Sequence, residues 1–172
     1  MAAAAIAVII NCSTRESSAL ALASTVVHGK LPVRLIDCES TDGSVDLFAS
    51  MQARFPHTLQ RWPLRAHGAA LDALFASVEA DFVLLVDSDA EIVSPSLVPA
   101  MRGALADERV YGSGFLHAGQ RLGVDHRVPD RVGYYAPRMW IPCVMLRVSA
   151  VRSCLQQGET FRQSIQGNEI PG

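Results

Sequence analysis

The chain has 172 residues, 49% of them hydrophobic, which is the size of one domain with enough apolar side chain for a full core. A formal net charge of -2 excludes the electrostatic footprint of a nucleic-acid binder, and no apolar stretch is long enough for a transmembrane segment. The four cysteines, Cys12, Cys38, Cys143 and Cys154, form no CxxC pair and no zinc spacing; three lie in or beside apolar segments and read as buried thiols, which fits a reducing cytoplasm. Of the 15 basic residues all but Lys30 are arginine, the better bidentate clamp for phosphate.

Met1 to Ile10 is apolar but has no charged leader and is ended by Asn11, so it reads as a first strand, Ala5–Ile10, rather than a signal peptide. Ser13–Glu16 has the pattern of a capping box, with Thr14 and Ser17 as further cap residues. A helix over Ser17–Val27 then carries an Ala/Leu face and stops near Gly29. Pro32 leads into a second strand, Val33–Asp37. Cys38–Ser44 is a turn, with Gly43 expected at positive φ after Asp42. Val45–Arg54 is a short helix broken before Pro56, and Thr58–Arg61 a short strand. His67–Glu79 is an amphipathic helix with Leu71, Leu74, Phe75 and Val78 on one face. The apolar run Phe82–Val86 is a buried strand, Pro95–Ala104 a helix, and Arg109–Leu116 a strand interrupted by glycines. Trp140–Leu146 is a further strand, followed by a short helix from Ser149. Residues 117–138 hold no period and form a long loop of the kind that is usually functional. The polar tail, residues 158–172, is expected to be loosely ordered. Strands alternating with helices imply a single α/β domain: a three-layer sandwich with a mostly parallel, Rossmann-like sheet and helices on both faces.

The Phe82–Val86 run ends on Asp87-Ser88-Asp89. Continuous apolar strands suit a parallel sheet covered on both sides, and ligands of such sheets bind outside the carboxyl ends of the strands. Residues i and i+2 of an extended chain point the same way, so the two carboxylates face one site, with Glu91 next in line. They repel one another unless a cation lies between them, and an all-oxygen ligand set favours Mg²⁺ or Mn²⁺.

Four motifs in order resemble the family 2 glycosyltransferases of GT-A fold, over residues 4–147. They are the first strand and turn Val8-Ile9-Ile10-Asn11-Cys12-Ser13-Thr14-Arg15, in which Arg15 matches best; Leu35-Ile36-Asp37-Cys38-Glu39-Ser40-Thr41-Asp42-Gly43-Ser44; Arg65-Ala66-His67-Gly68-Ala69-Ala70-Leu71-Asp72; and the D-x-D of Asp87-Ser88-Asp89. The resemblance implies a metal-dependent, inverting transfer of a sugar from a nucleotide-diphospho-sugar donor of UDP or GDP type to an acceptor. It implies that Asp37 meets the nucleobase, that Asp87, Ser88 and His67 lie against the donor, that Asp89, with Asp87, binds Mn²⁺ or Mg²⁺, and that Arg65 approaches the diphosphate or base. Read from the residues alone, Asp37 is also a turn cap, Arg65 a partner for Asp72 or a surface acid, and His67 a helix cap.

The 117–138 loop supplies the acceptor side in this resemblance. An inverting transfer needs a carboxylate to take the acceptor proton, and Asp125 and Asp130 are the candidates. His126, Arg131, Tyr134, Tyr135 and Arg138 are the accompanying acceptor-side residues. The acidic base motif of the family is not found after the Trp140 strand, so a domain that binds nucleotide sugar without turnover is the alternative. A phosphatase of haloacid dehalogenase type also uses D-x-D, but it wants that motif near the N-terminus and a lysine downstream, and Lys30 lies upstream.

Overall fold

The computed structural model of the chain describes residues 4–117, 138–161, 164–165 and 168–169. The elements are β1 (Ala5–Asn11), α1 (Arg15–Ser24), a π-helical turn (Thr25–Gly29), β2 (Val33–Cys38), α2 (Ser44–Met51), β3 (Thr58–Trp62), α3 (His67–Ser77), β4 (Phe82–Val86), α4 (Leu97–Ala104), β5 (Gly112–His117), β6 (Arg138–Arg147) and α5 (Val148–Gln156), with a two-strand ladder of β7 (Ser164–Ile165) and β8 (Asn168–Glu169). The main sheet has six strands in the order β3-β2-β1-β4-β6-β5. Pairing is parallel from β3 through β4 and antiparallel on both sides of β6, so β6 alone runs against the others.

Strand alternation builds two cores. Ala7, Ile9, Leu35, Leu84 and Val86 meet Leu22 of α1, Phe48 of α2 and Met101 of α4 on one face. Val8, Ile36, Val83 and Leu85 meet Leu74 and Phe75 of α3 and Val151 of α5 on the other. This is the three-layer sandwich expected, and it explains why every residue of β4 is apolar: all five are buried.

Local differences from the sequence expectation have identifiable causes. The capping box does not form. Ser13 sits at φ +52° and its N–H donates to Ser40 Oγ at 2.9 Å. Thr14 donates to Asn11 Oδ1 at 2.9 Å and makes no side-chain cap, while Glu16 accepts from Arg15 Nε and Nη2. The first helix continues through the π turn to Lys30, whose left-handed φ of 51° ends it. Gly43 takes φ +82° as expected. In β6 the ladder is interrupted: Gly114 pairs with Val144, but Leu116, two residues on, pairs with Met139. Pro142 lies in this bulge, where its lack of an N–H costs no ladder bond. At its start the strands come so close that a Cβ on Gly114 would lie 3.0 Å from Val144 Cγ2.

The carboxyl ends of β1 and β2 are tied by a buried polar network. Asn11, Ser18 and Asp37 are each 0% exposed. Asn11 Nδ2 donates to Asp37 Oδ1 and to Ser40 Oγ, both at 2.8 Å. Its Oδ1 accepts from Thr14 and from Ser18 Oγ at 2.7 Å, and Asp37 Oδ2 accepts from the Ser40 N–H at 3.1 Å. One turn outward, Asp42 accepts from the N–H of Arg15 at 3.0 Å and of Ser44 at 3.1 Å, the first residues of α1 and α2. One carboxylate thereby satisfies amides at two helix N-termini.

Two outcomes follow. Replacing Asn11 by Ala strands the buried Asp37 carboxylate and is expected to cost about 2–4 kcal/mol in urea unfolding; a cost near zero contradicts the network. Bonds from the Ser44 hydroxyl and amide, then the Arg15 amide, hold the Asp42 carboxyl below the usual carboxylate range. Its contribution is therefore complete above the unfolded-state pKa and lost as pH falls through the lower folded-state value. Asp42→Ala is expected to melt below the wild type at neutral pH, with the gap closing below about pH 4; a gap that does not change with pH contradicts it.

Candidate functional site

Beyond the carboxyl ends of β1, β2 and β4 the chain leaves a cleft of about 320 Å³, and Arg65, His67, Asp87, Ser88 and Asp89 all line it. Residues from two separate sequence motifs thus meet in one place. Asp87 is half-buried, whereas Arg65, His67 and Asp89 are exposed.

The two aspartates reach the cleft on a turn rather than by strand alternation. β4 ends at Val86. The Asp87 N–H then donates to Pro142 O in the β6 bulge at 2.8 Å, and the Ala90 N–H closes back on Asp87 O at 3.0 Å. The bulge therefore fixes the backbone of the first carboxylate. Glu91 is exposed and does not line the cleft. Burial pushes the Asp87 carboxyl up, His67 beside it pulls the other way, and Asp89 adds to the rise.

Arg65 lies over the Trp62 ring, 5.6 Å from its centroid. Asp72 serves the segment that follows α5, accepting from Thr160 Oγ1 and, at 3.0 Å, from the Phe161 N–H. His67 is the first residue of α3, after Ala66 at the N-cap; no side chain caps that helix, so its first turn opens at the cleft. Asp37 does not line the cleft. It is fully buried and accepts one bond on each oxygen, from Asn11 and from the Ser40 N–H, which hold the turn between β2 and α2.

The cleft also has walls that motif reading missed: Ile10, Cys12, Cys38, Leu64 and Ala70. No local sequence signal marks Cys12 and Cys38; their place follows from the β1–β2 alignment, in which the preceding residues Asn11 and Asp37 pair. A larger cavity of about 410 Å³ is walled by Leu146, Val151, Leu155 and Phe161. It is almost wholly apolar and far from the paired carboxylates, so the smaller polar cleft is the candidate.

Asp125, His126, Asp130, Arg131, Tyr134 and Tyr135 lie outside the described residues, and Arg138 is described as the first residue of β6. The anchors of that loop are placed by register. Val86 at the end of β4 pairs with Cys143, so β6 from Arg138 onward extends past β4 on the cleft side, and His117 pairs with Arg138 there.

Among the described residues, no three His, Cys, Asp or Glu side chains converge as a metal site. The protein offers Asp87 and Asp89. Two carboxylates suit a hard cation that keeps water and takes further oxygens from a phosphate ligand, and the mutual disfavour of the pair is what such a cation relieves.

No protein-family profile matches the sequence, and no curated protein does. Solved structures share the fold. Mannosyltransferase PcManGT from Pyrobaculum calidifontis, in complex with GDP-Man and Mn²⁺, is 14% identical with a TM-score of 0.65, covering 92% of this chain and 47% of that one. S. aureus TarS 1-349 is 13% identical with a TM-score of 0.59, covering 87% of this chain and 48% of that one. Glucosyl-3-phosphoglycerate synthase from Mycobacterium tuberculosis, in complex with UDP, is 15% identical with a TM-score of 0.57, covering 86% and 58%. The fold is that of GT-A glycosyltransferases, and the chain spans about half the length of these structures. Among the described residues no helix is long and apolar enough to cross a membrane.

The electrostatics of the pair are directly measurable. Carbon-detected NMR titration is expected to show the Asp87 midpoint falling in Asp89→Asn and rising in His67→Ala. No movement in either variant contradicts the coupling.

Proposed function

We propose that this chain is a nucleotide-diphospho-sugar glycosyltransferase domain whose donor site is the Asp87–Asp89 cleft. What carries the reading is the meeting of Arg65, His67, Ser88, Asp87 and Asp89 in one cleft at the strand ends of a GT-A fold. In this reading Asp89 and Asp87 hold Mn²⁺ or Mg²⁺. When bound, a divalent cation there supplies electrostatic stabilisation for the negative charge that grows on the diphosphate as the glycosyl bond breaks. Arg65, propped on Trp62, and His67 face the diphosphate oxygens, and the open first turn of α3 offers amide donors to the same anion. Ser88 supports the donor between the two aspartates. Asp37 holds the turn that shapes the cleft floor.

The acceptor side belongs to the loop between β5 and β6, whose anchors lie on the cleft side of the sheet. Asp125 or Asp130 takes the proton of the acceptor hydroxyl in an inverting transfer, with His126, Arg131, Tyr134, Tyr135 and Arg138 around the acceptor. PcManGT was solved with GDP-Man and Mn²⁺ and TarS with UDP-GlcNAc, which supports nucleotide sugars as the ligand class. A second reading is a domain that binds nucleotide sugar without turnover.

A thermal-shift series with UDP, GDP and CDP, with and without Mn²⁺, tests the site. One nucleotide is expected to raise the melting temperature by roughly 5–10 °C when metal is present at saturating ligand, and Asp89→Ala to abolish the shift. Unaltered binding by Asp89→Ala contradicts the assigned site. Nucleotide release from the matching nucleotide sugar separates a transferase from a binding domain.

A further inference from the structure

Two of the four thiols, Cys12 and Cys38, line the cleft. In the β1–β2 register Ile10 pairs with Ile36 and Asn11 with Asp37, and Cys12 and Cys38 are the residues that follow this last pair. Asn11 and Asp37 turn toward each other, away from the face on which Ile10, Ile36 and Cys38 pack. Cys12 is the first residue past the end of β1, and both cysteines line the cleft. Neighbouring strands lie about 4.8 Å apart, inside the roughly 4.4–6.8 Å Cα spacing that a disulfide bridges. The backbones around the pair are locked together by Asn11 to Asp37, Asn11 to Ser40 and Ser13 to Ser40. Cys12 is exposed, whereas Cys38 is 3% exposed. The other two thiols are elsewhere: Cys143 packs on the opposite face of the sheet, and Cys154 lies in α5.

We propose that Cys12 and Cys38 are a redox modification site: a reversible disulfide that forms in the cleft by exchange with a low-molecular-weight disulfide such as glutathione disulfide. The exposed Cys12 thiolate attacks the small disulfide, forming a mixed disulfide and expelling one small thiolate. The Cys38 thiolate then attacks Cys12 Sγ, forming the protein disulfide and expelling the second. The two protein thiols together lose two electrons and two protons; the small disulfide takes them up and leaves as two thiols. Burial, and then Cys12 and Asp37 nearby, push the Cys38 thiol up, which fits it to the second, intramolecular step rather than the first. Both residues belong to the cleft wall, so the cross-link redraws that wall and weakens nucleotide binding. This last consequence rests on the proposed function.

The test is to treat the full chain with glutathione disulfide, count free thiols and map the peptides by mass. Expected are the loss of two of the four free thiols, a peptide joining Cys12 to Cys38, and full recovery with dithiothreitol. Cys38→Ser is expected to stop at a glutathione adduct on Cys12, Cys12→Ser to resist oxidation at Cys38, and Cys154→Ser to cross-link as the wild type does. Four thiols persisting, a wild-type product that stops at the adduct, or a link through Cys143 or Cys154 overturns the proposal. The nucleotide-induced melting shift is then compared before and after oxidation. Loss on oxidation with recovery on reduction is expected; a shift that oxidation leaves unchanged overturns the coupling to binding. A cross-link that forms in a protein whose reduced form shows no shift leaves the disulfide standing and sinks the functional reading alone.

Discussion

The fold depends at one point on a polar bond in its interior, from the Asn11 amide to the Asp37 carboxylate between two parallel strand ends. Both side chains are fully buried, so each needs a partner inside the protein. Asn11 answers with both ends of its amide. The nitrogen holds β2 and its turn through Asp37 and Ser40, and the oxygen holds the entry to α1 through Thr14 and Ser18. Asp42 repeats the arrangement one turn outward, serving α1 and α2 at once. Together these bonds tie β1, β2, α1 and α2 to one another beside the cleft.

Beside these bonds the β4 end sets an electrostatic demand. Its turn places Asp87 and Asp89 at one cleft, and the Pro142 carbonyl in the β6 bulge keeps Asp87 from relaxing away. Half-burial and a like charge both disfavour the ionised Asp87, with His67 as partial compensation. A site in that condition favours cations strongly and bare anions poorly. In the proposed function a nucleotide diphosphate would enter it as a metal complex, with Arg65, His67 and the first turn of α3 meeting the remaining negative charge. The same logic explains why the apolar cavity beside α5, though larger, is a poor rival: its wall is almost wholly apolar.

Much of this was legible in the sequence because it is carried by local rules. The run Phe82–Val86 read as a buried strand because five consecutive apolar residues suit only a strand covered on both faces, and the sheet bears this out. Gly43 was readable because an Asp-Gly turn wants positive φ. What was not legible is set by long-range partners. Ser13–Glu16 has the letters of a capping box, but Ser40 and Asn11, from other elements, compete successfully for Ser13 and Thr14. Asp37 has the motif position of a ligand residue, yet its bonds are decided by Asn11 across the strand pair. The bulge that supports Asp87 depends on the pairing of β5 with β6, which no single segment encodes. Cys12 and Cys38 became neighbours only once β1 and β2 were aligned.

The central claim is that a metal–nucleotide complex sits between the β4 end and the first turn of α3. Paramagnetic broadening by Mn²⁺, added with the nucleotide that stabilises the protein most, locates the metal directly on an amide NMR spectrum. The account predicts that signals of Asp87, Ser88, Asp89 and Ala90 vanish first, followed by those around His67, while α5 from Val151 to Gln156 stays sharp. Broadening centred elsewhere, or uniform across the sheet, contradicts the account.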